Sequence, residues 1–266
     1  MDSLRGEIAF VTGSGRGIGF AIAQRLAQLG ADVAIHDRSQ TEPAEFGESE
    51  SLDHAASKIA GAGVRSVAVM GDIADEAAVQ TMRSQIENTL GPVSILVNCA
   101  GGDIAAKGGK PVPNEALEVP MEDVRAILER NLIGTMIACR AVCPGMIARR
   151  KGSIVNIASV AAHAGVTNGV AYATAKAGIV HYSKCLAQQT RSSGVRINVV
   201  SPGPIKTSRF MNTRETDPLM VDPEDNTLVR YGEPYEIADV VAFLAGASAR
   251  FVHGQVIRVD GGWLNS

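Results

Sequence analysis

Tyr172 and Lys176 stand four residues apart, a spacing that puts both side chains on one face of a helix, about 6 Å apart along its axis. The pair has a chemical use. A phenol titrates near pH 10 and is a poor base at neutrality, but an ammonium beside it stabilises the phenolate and draws its pKa toward the working range of an acid/base catalyst. Thirteen residues before Tyr172, an apolar run closes on Ile157-Ala158-Ser159. A serine at a strand tip can donate a hydrogen bond to an oxygen on which charge develops. Each signal alone has a plainer reading: Tyr-x-x-x-Lys arises by chance in helices, and serines often form turns.

A second group of residues could hold phosphate. Near the N-terminus an apolar run ends in Thr12-Gly13-Ser14-Gly15-Arg16-Gly17-Ile18-Gly19, and a helical pattern follows. Glycines let the backbone turn tightly, and the free N–H groups and dipole of a helix N-terminus favour a pyrophosphate. Gly13, Gly17 and Gly19 are spaced GxxxGxG, not GxGxxG. Eighteen residues after Gly19 the second strand-like run ends in Ile35-His36-Asp37. A carboxylate there can accept hydrogen bonds from the hydroxyls of an adenosine ribose. The plainer readings are a strand-to-helix turn and a loop aspartate; His36 reads as a packed strand residue.

Such residues need elements to position them. Strands are expected over Glu7–Val11, Val33–Ile35, Val67–Met70, Ile95–Val97, Ile154–Ala158, Val195–Val200 and Val256–Val259. Most are continuous apolar runs, as expected for strands covered on both faces. Helices are expected over Ile18–Leu29, Leu52–Ala60, Glu76–Leu90, Glu122–Ala148, Tyr172–Thr190 and Tyr235–Leu244. The alternation implies a single α/β domain: a three-layer, Rossmann-like, doubly wound sheet of seven parallel strands joined by right-handed crossovers. Two irregular stretches, 101–120 and 202–234, follow strand C-termini, where open α/β sheets bind ligands. A third, Arg38–Glu50, is polar and expected to be exposed.

The bulk properties exclude several classes. With 266 residues, 45% hydrophobic and 20% charged, the chain can bury a sizeable core and is not disordered. A net charge of −3 makes no electrostatic case for nucleic acid or an anionic membrane. No long apolar run announces a membrane span. Met1–Gly6 lacks the apolar region of a signal peptide, so a cytoplasmic location is expected. Cys99, Cys139, Cys143 and Cys185 all have apolar neighbours in sequence. Cys139 and Cys143 are spaced for a metal, but no His, Asp or Glu is placed to complete a site, so buried thiols and no metal are expected.

Taken together, these motifs resemble those of the short-chain dehydrogenases/reductases, and the resemblance runs over nearly the whole chain. It carries TGxxxGxG onto Thr12–Gly19 and the third-strand aspartate onto Asp72 in Gly71-Asp72-Ile73. The family's NNAG becomes Asn98-Cys99-Ala100-Gly101, with Cys99 replacing the second asparagine. Its helix asparagine falls on Asn131 and its Ser-Tyr-Lys set on Ser159, Tyr172 and Lys176. Its PG motif and following threonine fall on Pro202-Gly203-Pro204-Ile205-Lys206-Thr207, and its ending on Asp260-Gly261-Gly262. The resemblance implies a nicotinamide-dependent oxidoreductase that interconverts a secondary alcohol and a ketone. It implies Tyr172 as acid/base and Lys176 as its pKa-lowering partner and ribose ligand. Ser159 would orient the substrate oxygen, and Asn131 would hold a water that links Lys176 to solvent. The cofactor would touch Gly13, Arg16, Gly17, Ile18, Gly19, Asp37, Asp72, Ile73, Asn98, Ala100, Gly101, Tyr172, Lys176, Pro202, Gly203, Ile205 and Thr207, the last two at the carboxamide.

Asp37 favours NAD over NADP, because a 2′-phosphate would meet a like charge; Arg16 and Arg38 stand close enough in sequence to weaken that argument. The competing reading is an NADP-dependent ketoreductase such as a 3-oxoacyl-carrier-protein reductase. A dinucleotide-binding regulator without catalysis would lack Ser159, Tyr172 or Lys176, and all three are present. The resemblance also implies a homodimer or homotetramer paired through helices 122–148 and 172–190. The charges between Thr207 and Tyr231 (Arg209, Arg214, Glu215, Asp217, Asp222, Glu224, Asp225 and Arg230) point to a hydrophilic substrate, a sugar or hydroxy acid, if they are more than solvated loop charges.

Overall fold

The computed structural model describes residues 2–221 and 227–264. Seven strands run parallel in the order β3-β2-β1-β4-β5-β6-β7. They are β1 (Ile8–Thr12), β2 (Asp32–Asp37), β3 (Ser66–Met70), β4 (Ile95–Asn98), β5 (Gly152–Ile157), β6 (Val195–Pro202) and β7 (Val256–Val259). The order reverses between β1 and β4, the point at which a crevice opens beyond the strand C-termini.

Strand periodicity explains why these runs are apolar on both faces. Val11, Ile35, Val97 and Val155 enter the core on one side of the sheet. Their neighbours Phe10, Ala34, Leu96 and Ile154 enter the core on the other. Successive side chains point to opposite faces, so a sheet covered twice needs apolar residues at every position. Burying each Ile, Val, Leu or Phe is worth about 1.5–3 kcal/mol.

The helices that supply the covering layers are α1 (Gly17–Gln28), α2 (Leu52–Ala60), α3 (Glu76–Thr89), α4 (Met121–Leu128), α5 (Gly134–Arg149), α6 (Val170–Thr190) and α9 (Pro234–Ala245); two short ones, α7 (Ser208–Thr213) and α8 (Pro218–Val221), lie in the stretch expected to be irregular. The first layer brings α1, α2 and α9 against one face, and α3, α5 and α6 cover the other.

Two expectations need correction. The helix expected over Glu122–Ala148 is divided by a π-turn, Glu129–Ile133. There Asn131 donates to the Ile127 carbonyl, and Thr135 donates to the carbonyl of Asn131, so side chains compete with the backbone ladder. This helical region also holds an 18-residue window of mean hydropathy 1.4, half of it buried in the fold; it is apolar because α5 packs on β4 and β5. The cysteines are not all buried: Cys139 and Cys143 are, Cys99 is partly so, and Cys185 is exposed on α6. A lone polar flank could not reveal which helix face is outward.

Candidate active site

The residues singled out by type and spacing gather at the C-terminal ends of β1, β4 and β5. Gly169, with a left-handed φ of 75°, precedes α6, so Tyr172 sits in the first turn and Lys176 one turn on. Lys176 is 3% exposed, and its Nζ donates to the Ile157 carbonyl at 2.9 Å. It lies 5.5 Å from the centroid of the Tyr172 ring. Burial pulls the ammonium down to about 8, since desolvation disfavours the charged form.

In the chain alone, burial acts on the phenol against the lowering expected of a neighbouring ammonium. Burial holds Tyr172 above its ordinary value, and the hydrogen bond with Ser159 and the Arg214 charge only partly oppose it. Lys176 lies over the ring and is tied to Ile157. In the chain alone, desolvation wins. Ser159 also accepts from the Ala161 amide at 3.2 Å, which fixes the strand tip.

Asn131 reaches the same centre from the π-turn. Its Oδ1 accepts from the Gly102 amide at 3.0 Å, and its Nδ2 donates to the Gly102 carbonyl at 3.0 Å. With the Ile127 bond added, the side chain braces the 101–102 backbone. Its carbonyl already accepts from Thr135, which leaves a single lone pair for any relay. The close approach demands glycine: a Cβ at Gly101 would lie 2.3 Å from Asn131 Oδ1 and 3.5 Å from Lys176 Nζ.

The glycine turn is built as tightly. A Cβ at Gly19 would stand 2.1 Å from the Gly13 carbonyl oxygen. His36, expected only to pack, does more. It accepts from the Gly13 amide at Nδ1 (3.1 Å) and meets the Gly71 carbonyl through Nε2 (3.0 Å). Burial drops it to about 4, so it is neutral, with its proton on Nε2. It thereby ties the turn after β1 to the ends of β2 and β3. Ser14 adds a bond to Val11 and one from the His36 amide.

The remaining expected cofactor contacts divide. Asp37 lies beside the turn, its Oδ2 2.7 Å from where a Gly15 Cβ would be. Burial raises it to about 6, and the Arg38 amide partly offsets this. Thr207 caps α7 by accepting from Phe210 at 3.1 Å, and its methyl borders Gly17. Asp72 accepts from Ala74 at 2.9 Å at the end of β3. Ala100 and Gly101 follow β4, Pro202 ends β6, and Gly203 follows it. Ile18 packs partly against one core. The side chains of Asn98, Ile73 and Ile205 point into the packed interior. Asn98 donates to Asn156 at 2.8 Å and to Cys139 at 3.3 Å, inside the helix layer. Ile73 and Ile205 are 4% and 5% exposed and belong to the two cores.

What the sequence did not reveal is the Arg38–Glu50 loop. Expected to be exposed, it folds over the glycine turn. Pro43 and Ser49 are buried. Glu42 pairs with both Arg16 (3.4 Å) and Arg38, Glu45 pairs with Arg16 at 2.7 Å, and the Arg16 guanidinium lies 4.7 Å from the Phe46 ring centre. Acidic residues at 42, 45 and 48 opposite Arg16 were the available signal. A second missed feature lies near Tyr172, where buried Asn114 donates to Asp103 Oδ2 at 2.8 Å, leaving Asp103 Oδ1 and Asn114 Oδ1 without partners in the chain.

Comparison with known proteins identifies the class. Residues 13–264 match the family described as Enoyl-(Acyl carrier protein) reductase. The chain is 36% identical to cyclohexanol dehydrogenase of Rhodococcus sp., covering 97% of this chain and 96% of that one. It is 33% identical to a 3-oxoacyl-acyl-carrier-protein reductase of Vibrio cholerae, with 98% of both chains covered. Its fold superposes with a TM-score of 0.82 on 7α-hydroxysteroid dehydrogenase in complex with NADH and 7-oxo glycochenodeoxycholic acid, at 28% identity over 99% of this chain and 96% of that one. The chain belongs to the short-chain dehydrogenase/reductase family. It is an oxidoreductase of the CH–OH/C=O couple.

Proposed function

We propose that the chain is an NAD-dependent dehydrogenase of a polar secondary alcohol, working through Tyr172, Ser159, Lys176 and Asn131. The observation that carries this reading is the convergence of those four side chains on one end of the sheet. When bound, the nicotinamide supplies the hydride acceptor or donor. The Tyr172 hydroxyl passes the proton: to the substrate oxygen when a ketone is reduced, from it when an alcohol is oxidised. Ser159 holds that oxygen against Tyr172. Lys176, anchored on Ile157, holds the nicotinamide ribose and supplies positive charge beneath the ring. Asn131 keeps the 101–102 backbone in the position the cofactor needs. Gly13–Gly19 would take the pyrophosphate, and Asp72, Ala100 and Gly101 would flank the adenosine half, with Ile73 and Asn98 contributing backbone only. Pro202, Gly203, Ile205 and Thr207 would close on the carboxamide.

Preference for NAD rests on Asp37 and on Glu42. A ribose-facing carboxylate gains charge-assisted hydrogen bonds worth about 1.5–3 kcal/mol, whereas a 2′-phosphate would be repelled. Arg16 and Arg38 are the residues that could relieve that repulsion, and Glu42 already engages both. The likeness to the Vibrio reductase favours the NADP-dependent ketoreductase as second reading. Both are tested by following reduced-nicotinamide absorbance over a panel of secondary alcohols and ketones with each cofactor. Turnover only with NADP and acyl-thioester ketones would replace the first reading by the second.

A polar substrate fits Asp103 and Asn114 beside Tyr172, with their spare acceptors, and Arg214, whose guanidinium stacks on Phe210. Not all the charges between Thr207 and Tyr231 are open to a substrate. Arg230 is spent on Glu236 and Asp217 on the Leu219 amide, while Asp222, Glu224 and Asp225 lie outside the described residues. We further propose a homodimer or homotetramer paired along the outer groove of α5 and α6, where Met136, Ile147, Cys185 and Leu186 line an apolar trough. The unpaired cysteines suit the reducing cytoplasm.

A further inference from the structure

Arg209, in the first turn of α7, is a charge without a counterpart. No carboxylate among the described residues lies within ion-pair distance of it. Its guanidinium presses on the crevice wall: a Cβ at Gly102 would lie 2.6 Å from Arg209 Nη1. Burial holds its pKa below the usual arginine value, the Arg16 and Arg130 charges add to this, and Glu45 only partly offsets it. A partly desolvated cation facing two others is costly unless an anion joins them.

Two further observations indicate where that anion goes. Arg16 Nη1 is buried without a hydrogen-bond partner, although the rest of its guanidinium is paired. The segment carrying Arg209 also touches the glycine turn. A Cβ at Gly17 would lie 3.5 Å from the Thr207 methyl, two residues before Arg209. Of the charges that Arg209 feels, Arg16 and Glu45 stand on that same side. Further along, the Arg214 charge is felt at the Tyr172 phenol.

We propose that Arg209 is a binding residue for the dinucleotide's pyrophosphate, bringing the 207–213 segment down on the cofactor from the side opposite α1. The inference rests on the dinucleotide-dependent reading above. It ties cofactor binding to α7, the helix that carries Arg209.

The test is calorimetric titration of the wild-type chain, Arg209→Gln and Arg209→Lys with NAD and with ADP-ribose, which keeps the pyrophosphate but lacks the nicotinamide. Arg209→Gln should weaken both ligands by the same factor, about tenfold or more, as expected for losing one charge-assisted contact. Arg209→Lys should recover part of the loss. Melting of the ligand-free Gln variant should occur at or above the wild-type temperature, because the substitution removes a desolvated charge that faces two other cations. Undiminished affinity in Arg209→Gln would overturn the proposal. So would a loss confined to NAD, which would put the contact at the nicotinamide half. A raised substrate KM with cofactor affinity intact would also overturn it. A wild-type chain that bound neither ligand would instead overturn the dinucleotide reading beneath it.

Discussion

The amide of Gly17 donates to the carboxylate of Glu48 at 2.6 Å. Gly17 opens α1, so a side chain of the protein's own loop holds the first free N–H where a phosphate oxygen would bind. Lys58 anchors that loop by donating to the Glu48 carbonyl at 3.0 Å. The dinucleotide must therefore displace Glu48. Glu48→Ala should tighten NAD by about three- to tenfold, while the ligand-free chain loses the cap, about 1 kcal/mol. Calorimetry and thermal melting read the two effects separately. Unchanged NAD affinity would mean that the loop and the cofactor do not compete.

The sheet was legible because parallel strands covered twice must be apolar throughout, and runs such as Ile154–Ala158 state this directly. The glycine turn and Tyr172/Lys176 were legible because their spacing matters more than their neighbours. The Glu48 contact was not, because it joins residues 31 apart through an irregular loop, and no local periodicity encodes where such a loop lands. Asn131 was found by motif, but the π-turn was not: it depends on a side chain bonding Gly102 across space. Nor could the sequence weigh burial against charge at Tyr172, since both follow from the packed crevice.

Tyr172→Phe keeps the ring that Lys176 faces and removes the proton. Turnover should fall by about a hundredfold or more, the scale of general acid/base catalysis, with NAD affinity nearly unchanged. Steady-state kinetics with the best substrate of the panel, beside calorimetry, checks both halves. Near-normal turnover in the variant would remove Tyr172 from the mechanism.

Ile147 is 41% exposed at the end of α5, in the groove assigned to subunit pairing. Ile147→Arg should cost the monomer's stability little and reduce the molar mass measured by light scattering at micromolar concentration. A wild-type chain already monomeric under those conditions would dispose of the pairing proposal.

Asp37 links cofactor choice to pH. Its carboxyl titrates at about 6 in the fold, against 3.8 when unperturbed, so the fold favours the protonated form. The stability this contributes is fully present below the unfolded value and is lost as pH rises through about 6. Removing the charge should therefore stabilise the ligand-free chain where the carboxylate is ionised. Asp37→Asn should gain about 1–3 kcal/mol at pH 8, discounted for partial exposure, and little at pH 4. The cofactor responds in the opposite sense. In the proposed site the ionised carboxylate is the form that would accept the ribose hydroxyls, so NAD affinity of the wild type should decline as pH falls below about 6. At pH 8 the wild type should favour NAD over NADP by about tenfold or more in kcat/KM, a margin of roughly 1.4 kcal/mol, and Asp37→Ser should narrow that ratio. Melting curves at the two pH values and paired kinetics with both cofactors supply the readings. Equal stabilisation of Asp37→Asn at pH 4 and pH 8 would show that burial does not bear on this carboxyl. A wild-type preference for NADP would show that Arg16 and Arg38 leave Glu42 to take the 2′-phosphate, and would make the ketoreductase reading the better one.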